Sequence, residues 1–124
     1  MDTFNQHQAC EDDCPIKKFA QIIEGKWTTL VIRELLADKK RYSELQKALT
    51  GISPKILSAR LRLLEDMQLL TRTVYPTIPP STEYELTELG RKLQPVLMAM
   101  AEFGSLLQQQ TDKPAAMNIN SAPA

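Results

Sequence analysis

The sequence predicts a mainly α-helical domain that carries one small β-hairpin and has further helices at both ends. Three observations carry that prediction. Between residues 15 and 67, apolar residues recur at helical spacing in four segments parted by glycine or polar turns. Residues 70–75 and 83–86 then switch to the alternating, β-branched pattern of strands. Between residues 89 and 107 a long apolar pattern of helical period returns.

The first helix is expected to start at Pro15, because proline suits the first helical position and has no N–H to lose there. Ile16, Phe19, Ala20 and Ile23 give it a stripe, and Gly25 is expected to end it. A second helix over Lys26–Ala37 carries Trp27, Leu30, Val31, Leu35 and Leu36, and residues 38–41 read as a polar turn. Ser43 with Gln46 three positions later fits a capping box for a third, short helix, whose inner face is Leu45, Ala48 and Leu49. Residues 50–52 are the turn. Ser53 then caps a fourth helix, with Pro54 at its first position, that runs to about Met67. Residues 70–75 and 83–86 form a hairpin around the proline-rich loop 76–81. Thr87 caps a last helix over about residues 88–109, with a kink expected at Pro95. Residues 1–13 and 111–124 read as tails flanking a domain at 14–110. Two short helices joined by a tight glycine turn and followed by a hairpin make a winged helix-turn-helix.

Composition narrows the function. The 124-residue chain is 43% apolar and 24% charged, as ordinary globular domains are. No segment is long and apolar enough to span a bilayer, and residues 1–13 are acidic and polar, unlike a secretory or mitochondrial address. A cytoplasmic location with no membrane partner is the expectation. The 15 basic and 15 acidic side chains cancel, but not locally. Residues 1–14 hold four acids (Asp2, Glu11, Asp12, Asp13) and no Lys or Arg. Residues 39–72 hold eight bases (Lys39, Lys40, Arg41, Lys47, Lys55, Arg60, Arg62, Arg72) against three acids (Glu44, Glu65, Asp66), a local +5. Catalysis is not expected. His7, the one histidine, is in the tail, there is no glycine-rich phosphate loop, and the adjacent pairs Asp12–Asp13 and Glu65–Asp66 read as solvated. Tyr42, Tyr75 and Tyr84 read as core or wing-packing residues. His7, Cys10 and Cys14 match no standard zinc spacing, so neither a metal nor a cofactor is expected.

At 100° per residue, Leu57, Leu61 and Leu64 of the fourth helix share one face and must point to the core. Lys55, Ala59, Arg62 and Asp66 fall opposite, with Ser58 beside them. A face that is cationic, polar and small near a helix N-terminus suits the DNA major groove. Arg62 can fork onto a guanine, Lys55 can reach a guanine or a phosphate, and Ala59 avoids a clash with base edges. Ser53 and Ser58, with the free N–H groups at the helix start around Pro54, can hold a phosphate oxygen. Ser43 at the start of the third helix joins this set. Arg60 lies on the flank, as ready to pair with a carboxylate as with a phosphate. The competing reading is a winged-helix module that binds protein and not DNA.

The sequence also resembles a known family, the HxlR-type winged helix-turn-helix regulators, relatives of the MarR type. The resemblance covers about residues 14–104. It is carried by Cys14-Pro15-Ile16; by Gly25-Lys26-Trp27-Thr28 and Ile32-Arg33-Glu34-Leu35; by Tyr42-Ser43-Glu44-Leu45; and by Gly51-Ile52-Ser53-Pro54-Lys55-Ile56-Leu57-Ser58 with Arg60-Leu61. Further on it is carried by Arg72-Thr73-Val74-Tyr75-Pro76, Pro79-Pro80, Glu83-Tyr84 and Leu86-Thr87-Glu88-Leu89-Gly90. It implies a homodimeric DNA-binding transcriptional regulator, a repressor, with a reading helix in the major groove and a wing beside it. One position departs: where the family often has a base after the proline pair, this chain has Ser81. Arg72, at the base of the wing, remains as the candidate for a backbone contact.

Dimerisation is also expected from the last helix, where Leu89, Leu93, Val96, Leu97, Met98, Met100, Ala101, Phe103, Leu106 and Leu107 offer more apolar surface than one small domain covers. The expected interface is Val96, Leu97, Met100, Phe103 and Leu107, with Phe19 and Ile23 of the first helix. A two-fold dimer would set its reading helices about 34 Å apart on a near-palindromic double-stranded operator. The inducer is not legible. Cys14 sits at the expected N-cap of the first helix, where the helix dipole favours thiolate while Asp12 and Asp13 oppose it. In the family a cysteine matching Cys14 senses oxidants or electrophiles in several members. By that resemblance Cys14 is a candidate redox sensor, with a disulfide either to Cys10 or across the dimer.

Overall fold

The computed structural model describes residues 14–111. In order, these form α1 (Pro15–Ile22), α2 (Lys26–Ala37), β1 (Lys40–Arg41), α3 (Tyr42–Ala48), α4 (Pro54–Asp66), β2 (Leu70–Tyr75), β3 (Ser81–Leu86), α5 (Glu88–Arg91) and α6 (Gln94–Thr111). Two compact units divide the chain between Arg91 and Lys92. The first is a winged helix-turn-helix. The second, among the described residues, is α6 with the turn before it. Cys10 and the expected tails lie outside the described residues, save Thr111, which is still helical and donates its hydroxyl to the Leu107 carbonyl at 2.9 Å.

The core of the first unit is aliphatic. Val31, Ile32 and Leu35 of α2, Leu45 and Leu49 around α3, Leu57, Leu61 and Leu64 of α4, and Leu70, Tyr84 and Leu86 of the sheet are all buried. Each such side chain contributes about 1.5–3 kcal/mol when fully withdrawn from water. The helix-turn-helix closes through Gly51, whose φ of 94° is a left-handed value that a side chain would strain. Ile52 then donates its N–H to the Leu49 carbonyl at 3.0 Å.

The sheet has three strands in the order β1-β3-β2, all antiparallel. Lys40 and Arg41, expected in a polar turn, pair with Tyr84 and Glu83. Two charged residues carry no alternation, so only the tertiary partner reveals this strand. β3 also starts at Ser81 and not at residue 83, its register running from Tyr75↔Ser81 to Leu70↔Leu86. Only Leu70 is buried in β2. Past Tyr84 and its partner Arg72 the hairpin leaves the core and stands in solvent as a wing.

Three helix ends differ from expectation. Gly25 does not end α1, which stops at Ile22; with φ 81° it is the N-cap of α2. α3 begins at Tyr42, not after Ser43. Its N-cap is Arg41, whose N–H donates to the Glu44 carboxylate at 2.8 Å, so Ser43 is the second helical residue and Gln46 caps nothing. The Ser43–Gln46 spacing fits a capping box locally, but the β1 ladder holds the chain extended through Arg41 and the helix starts where the ladder stops. Finally, the last helix is not one kinked rod. α5 and α6 are parted at Lys92–Leu93, and Pro95 lies in the first turn of α6, where its missing N–H costs nothing.

Thr87 is a cap, as expected. Its Oγ1 accepts from Gly90 N–H at 3.0 Å and donates to the Gln68 carbonyl at 2.8 Å, and its N–H donates to Leu69 O at 3.0 Å. These bonds clamp α5 onto the α4–β2 turn so closely that Gly90 lies against the Leu69 backbone, with no room for a Cβ. Gly90→Ala is therefore expected to destabilise the first unit by about 1–3 kcal/mol, as overpacking does. A urea titration checks this, and an unchanged midpoint would show that α5 can move off the sheet freely.

Candidate nucleic-acid interface

α4 is oriented by its buried stripe. Leu57, Leu61 and Leu64 are buried, which turns Lys55, Ser58, Ala59 and Arg62 to solvent. Ser53 and Pro54 are exposed at its start. Ser53 Oγ accepts the Ile56 N–H at 3.1 Å, which is the capping bond, and leaves the hydroxyl proton available to an external acceptor. Neither Lys55 nor Arg62 forms an ion pair with another described residue.

Tyr42, assigned to packing from the sequence, has a second role. Its Oη donates to the Pro54 carbonyl at 3.1 Å and lies 3.2 Å from Ser58 Oγ. The first helix of the motif is thereby bonded to the first turns of the second. Sequence reading missed this because a tyrosine beside Ser43 carries no signal of a partner sixteen residues away.

Two surface clefts flank this joint. One, between α4 and the base of the wing, is lined by Ser58, Arg62, Glu65, Arg72 and Tyr84, which brings two of the predicted cations into one depression. Arg72 Nε lies 3.8 Å from Glu65 Oε1, with both side chains somewhat under half exposed at the surface. Such a surface pair is worth at most about 1 kcal/mol, so a phosphate can replace the carboxylate at small cost. Burial holds the neighbouring Tyr84 phenol above its usual titration range, so it stays a neutral donor. The other cleft lies between Arg41, Tyr42 and Ser43 at the start of α3 and residues 77–82 of the wing loop.

Other predicted residues fall elsewhere. Arg60 is half-buried. Its guanidinium points to the α1–α2 junction, within 3.8 Å of where a Gly25 side-chain carbon would lie. Its buried Nε has no partner among the described residues. The structure thus separates it from Lys55 and Arg62. Cys14 occupies the N-cap position of α1, half-buried and as a free thiol, with no side-chain cap bond. Phe19 and Ile23 are half-buried, and α1 buries no residue fully. In the second unit Val96, Met100, Phe103 and Leu107 are exposed and Leu97 is half-buried. No helix among the described residues is long and apolar enough to cross a membrane.

Tyr42→Phe removes both hydroxyl contacts while keeping the ring. It is expected to lower unfolding stability by about 1 kcal/mol, and Ser58→Ala by less. Urea titrations of the two variants check this. Equal losses would mean that the Pro54 carbonyl contributes nothing to the joint.

Known proteins share this arrangement. Residues 22–112 match the HxlR-like helix-turn-helix family. An HTH-type transcriptional regulator of Synechocystis, sll1512, is 48% identical over 92 residues, covering 74% of this chain and 68% of its own. A solved structure of a MarR-family regulator from Porphyromonas gingivalis superposes with a TM-score of 0.71 at 42% identity, over 75% of this chain and 91% of that one. The redox regulator HypR in its oxidised form superposes with a TM-score of 0.69 at 36% identity, over 74% and 95%. The winged helix-turn-helix, the cationic face of α4 and these matches agree: the chain belongs to the HxlR-like family of helix-turn-helix transcriptional regulators.

Proposed function

We propose that this regulator is a two-fold homodimeric repressor that places α4 of each copy in successive major grooves of a near-palindromic operator. The observation that carries this is the outward face at the start of α4. Lys55 and Arg62 are solvent-facing and unpaired among the described residues, Ala59 is small, and the Ser53 hydroxyl proton is available. Arg62 reads a base edge, Lys55 and Ser53 take phosphates, and Arg72 exchanges Glu65 for the backbone beside the wing. Ser58, engaged by Tyr42, positions the helix start more than it contacts DNA, and Ser43, exposed in the cleft between α3 and the wing loop, is a further candidate for a phosphate. α6 supports the dimer. An exposed Val96, Met100, Phe103 and Leu107 on one helix is an apolar surface that a second copy would cover. A repressor then acts by occupying the operator.

The signal we propose is thiol oxidation at Cys14. The support is its place at the N-cap of α1, the helix that carries the proposed dimer residue Phe19 and is capped by Ile23, together with the likeness to a protein named as a redox regulator. Two thiols would give one disulfide, releasing two protons and passing two electrons to a peroxide-type oxidant. The second thiol is Cys10 of the same copy or a thiol of the other copy.

Gel shifts on duplex DNA from upstream of the gene test the first reading. Lys55→Ala should lower the slope of log affinity against log salt by about 1, the release of one phosphate's counterion. Arg62→Ala should cost about 1–3 kcal/mol and relax preference at one base pair. Wild-type affinity in the Lys55→Ala/Arg62→Ala double variant would exclude α4 as the reading helix. For the switch, oxidant should change operator affinity in wild type and not in Cys14→Ser, and an identical response from both proteins would remove Cys14 from the mechanism.

A further inference from the structure

Two buried side-chain polar atoms have no hydrogen-bond partner among the described residues, Thr28 Oγ1 and Arg60 Nε. They meet at one end of α2. Thr28 is the third residue of that helix and is 0% exposed. Side chains lean toward a helix's N-terminus, so its hydroxyl is aimed at the Gly25 end. Arg60 crosses from α4 to the same end, its guanidinium 3.8 Å from where a Gly25 Cβ would lie. A buried donor left unbonded costs stability, and two of them at one helix end call for a common explanation.

The helix end is itself short of acceptors. Gly25 has φ 81° and ψ 169°, a region that only glycine enters readily, and as the N-cap it brings no side-chain oxygen. No acid stands in the first turn. Positive charge collects there instead: the α2 dipole, the Lys26 ammonium over the Trp27 ring at 4.5 Å, and the Arg60 guanidinium. Glu24, the neighbouring acid, is exposed and forms no ion pair with another described residue. An arginine at the positive end of a helix is repelled by it, and an anion between the two reverses both interactions. There is room for one. Gly25 is exposed, and apart from its chain neighbours an added Cβ would meet only the end of Arg60 within 4 Å.

We propose that this corner binds a small oxyanion, a phosphate or carboxylate group, between the N-terminus of α2 and Arg60. The first N–H groups of α2 and the guanidinium fork donate to its oxygens, and the buried Thr28 hydroxyl donates from the core side. The site is separate from the proposed DNA face, since Arg60 follows Lys55 by five residues, about 140° round α4. An anion held there ties α2 to the back of the reading helix without touching a groove contact.

Thermal unfolding of the full chain tests this, with inorganic phosphate or acetate replacing chloride in the millimolar range at constant ionic strength. Wild type should gain stability along a saturating curve, by about 5 °C at about ten times the dissociation constant. Whichever of the two anions acts names the class of oxyanion. Arg60→Gln should lose the saturating response. Thr28→Val should melt in chloride no lower than wild type, because it removes an unbonded buried hydroxyl, and should bind the anion about tenfold more weakly. It carries the test if Arg60→Gln does not fold. Lys55→Ala/Arg62→Ala should respond as wild type does. A wild-type response in Arg60→Gln or in Thr28→Val overturns the proposal. So does a rise that never saturates, which is general exclusion of the salt from the surface, or no rise at all. Loss of the response in Lys55→Ala/Arg62→Ala also overturns it, by placing the anion on the outward face of α4.

Discussion

The rotation of α4 about its own axis is the constraint on which the rest depends. Leu57, Leu61 and Leu64 recur at three- and four-residue spacing and are all buried. Rolling the helix by a quarter turn would expose at least one of them, at about 1.5–3 kcal/mol each. No surface contact on the opposite side approaches that energy. Arg72 with Glu65, the ion pair nearest to the face, is exposed and weak. The core therefore decides where Lys55 and Arg62 point, and a neutral chain can carry a cationic face because its charges are sorted by the periodicity of its leucines.

What periodicity could show, the sequence reading found. The buried stripe of α4, the Ser53 cap with Pro54 at the first position, the Gly51 turn and the Thr87 cap all follow from residues within one or two turns of each other. What it missed depends on distant partners. Lys40 and Arg41 become a strand only because Tyr84 and Glu83 lie alongside. That ladder moves the start of α3 from Ser43 back to Tyr42, and a serine that looks like a cap becomes a helical residue. The tyrosine so recruited bonds to Pro54 and Ser58. One unrecognised two-residue strand thus accounts for the wrong cap and for the missed joint, both within the candidate site.

Arg60 shows how far charge counting goes. It belongs to the local excess of bases and sits on the helix proposed to read DNA, yet the wheel places it on the flank. The structure turns it to Gly25, with a buried Nε that no described residue satisfies. A buried, unbonded donor of a charged group is costly, and its guanidinium is held where α4 meets the α1–α2 junction. The same junction follows the helix that Cys14 begins. Arg60 therefore spends its charge at the N-cap of α2 and not on the outward face of α4.

The charge of the proposed DNA surface is local, and the chain's own composition shows how much depends on it. α4 offers charge, which attracts any duplex and weakens as salt rises. With a net charge of zero over the whole chain, there is little long-range field to add to it. The wing adds Arg72 at its base, while residues 76–82 are uncharged. An uncharged tip gives no attraction to DNA in general. In the proposed interface holding DNA falls to Lys55 and Arg72 and choosing it to Arg62, so discrimination persists at salt concentrations where non-specific binding has fallen away.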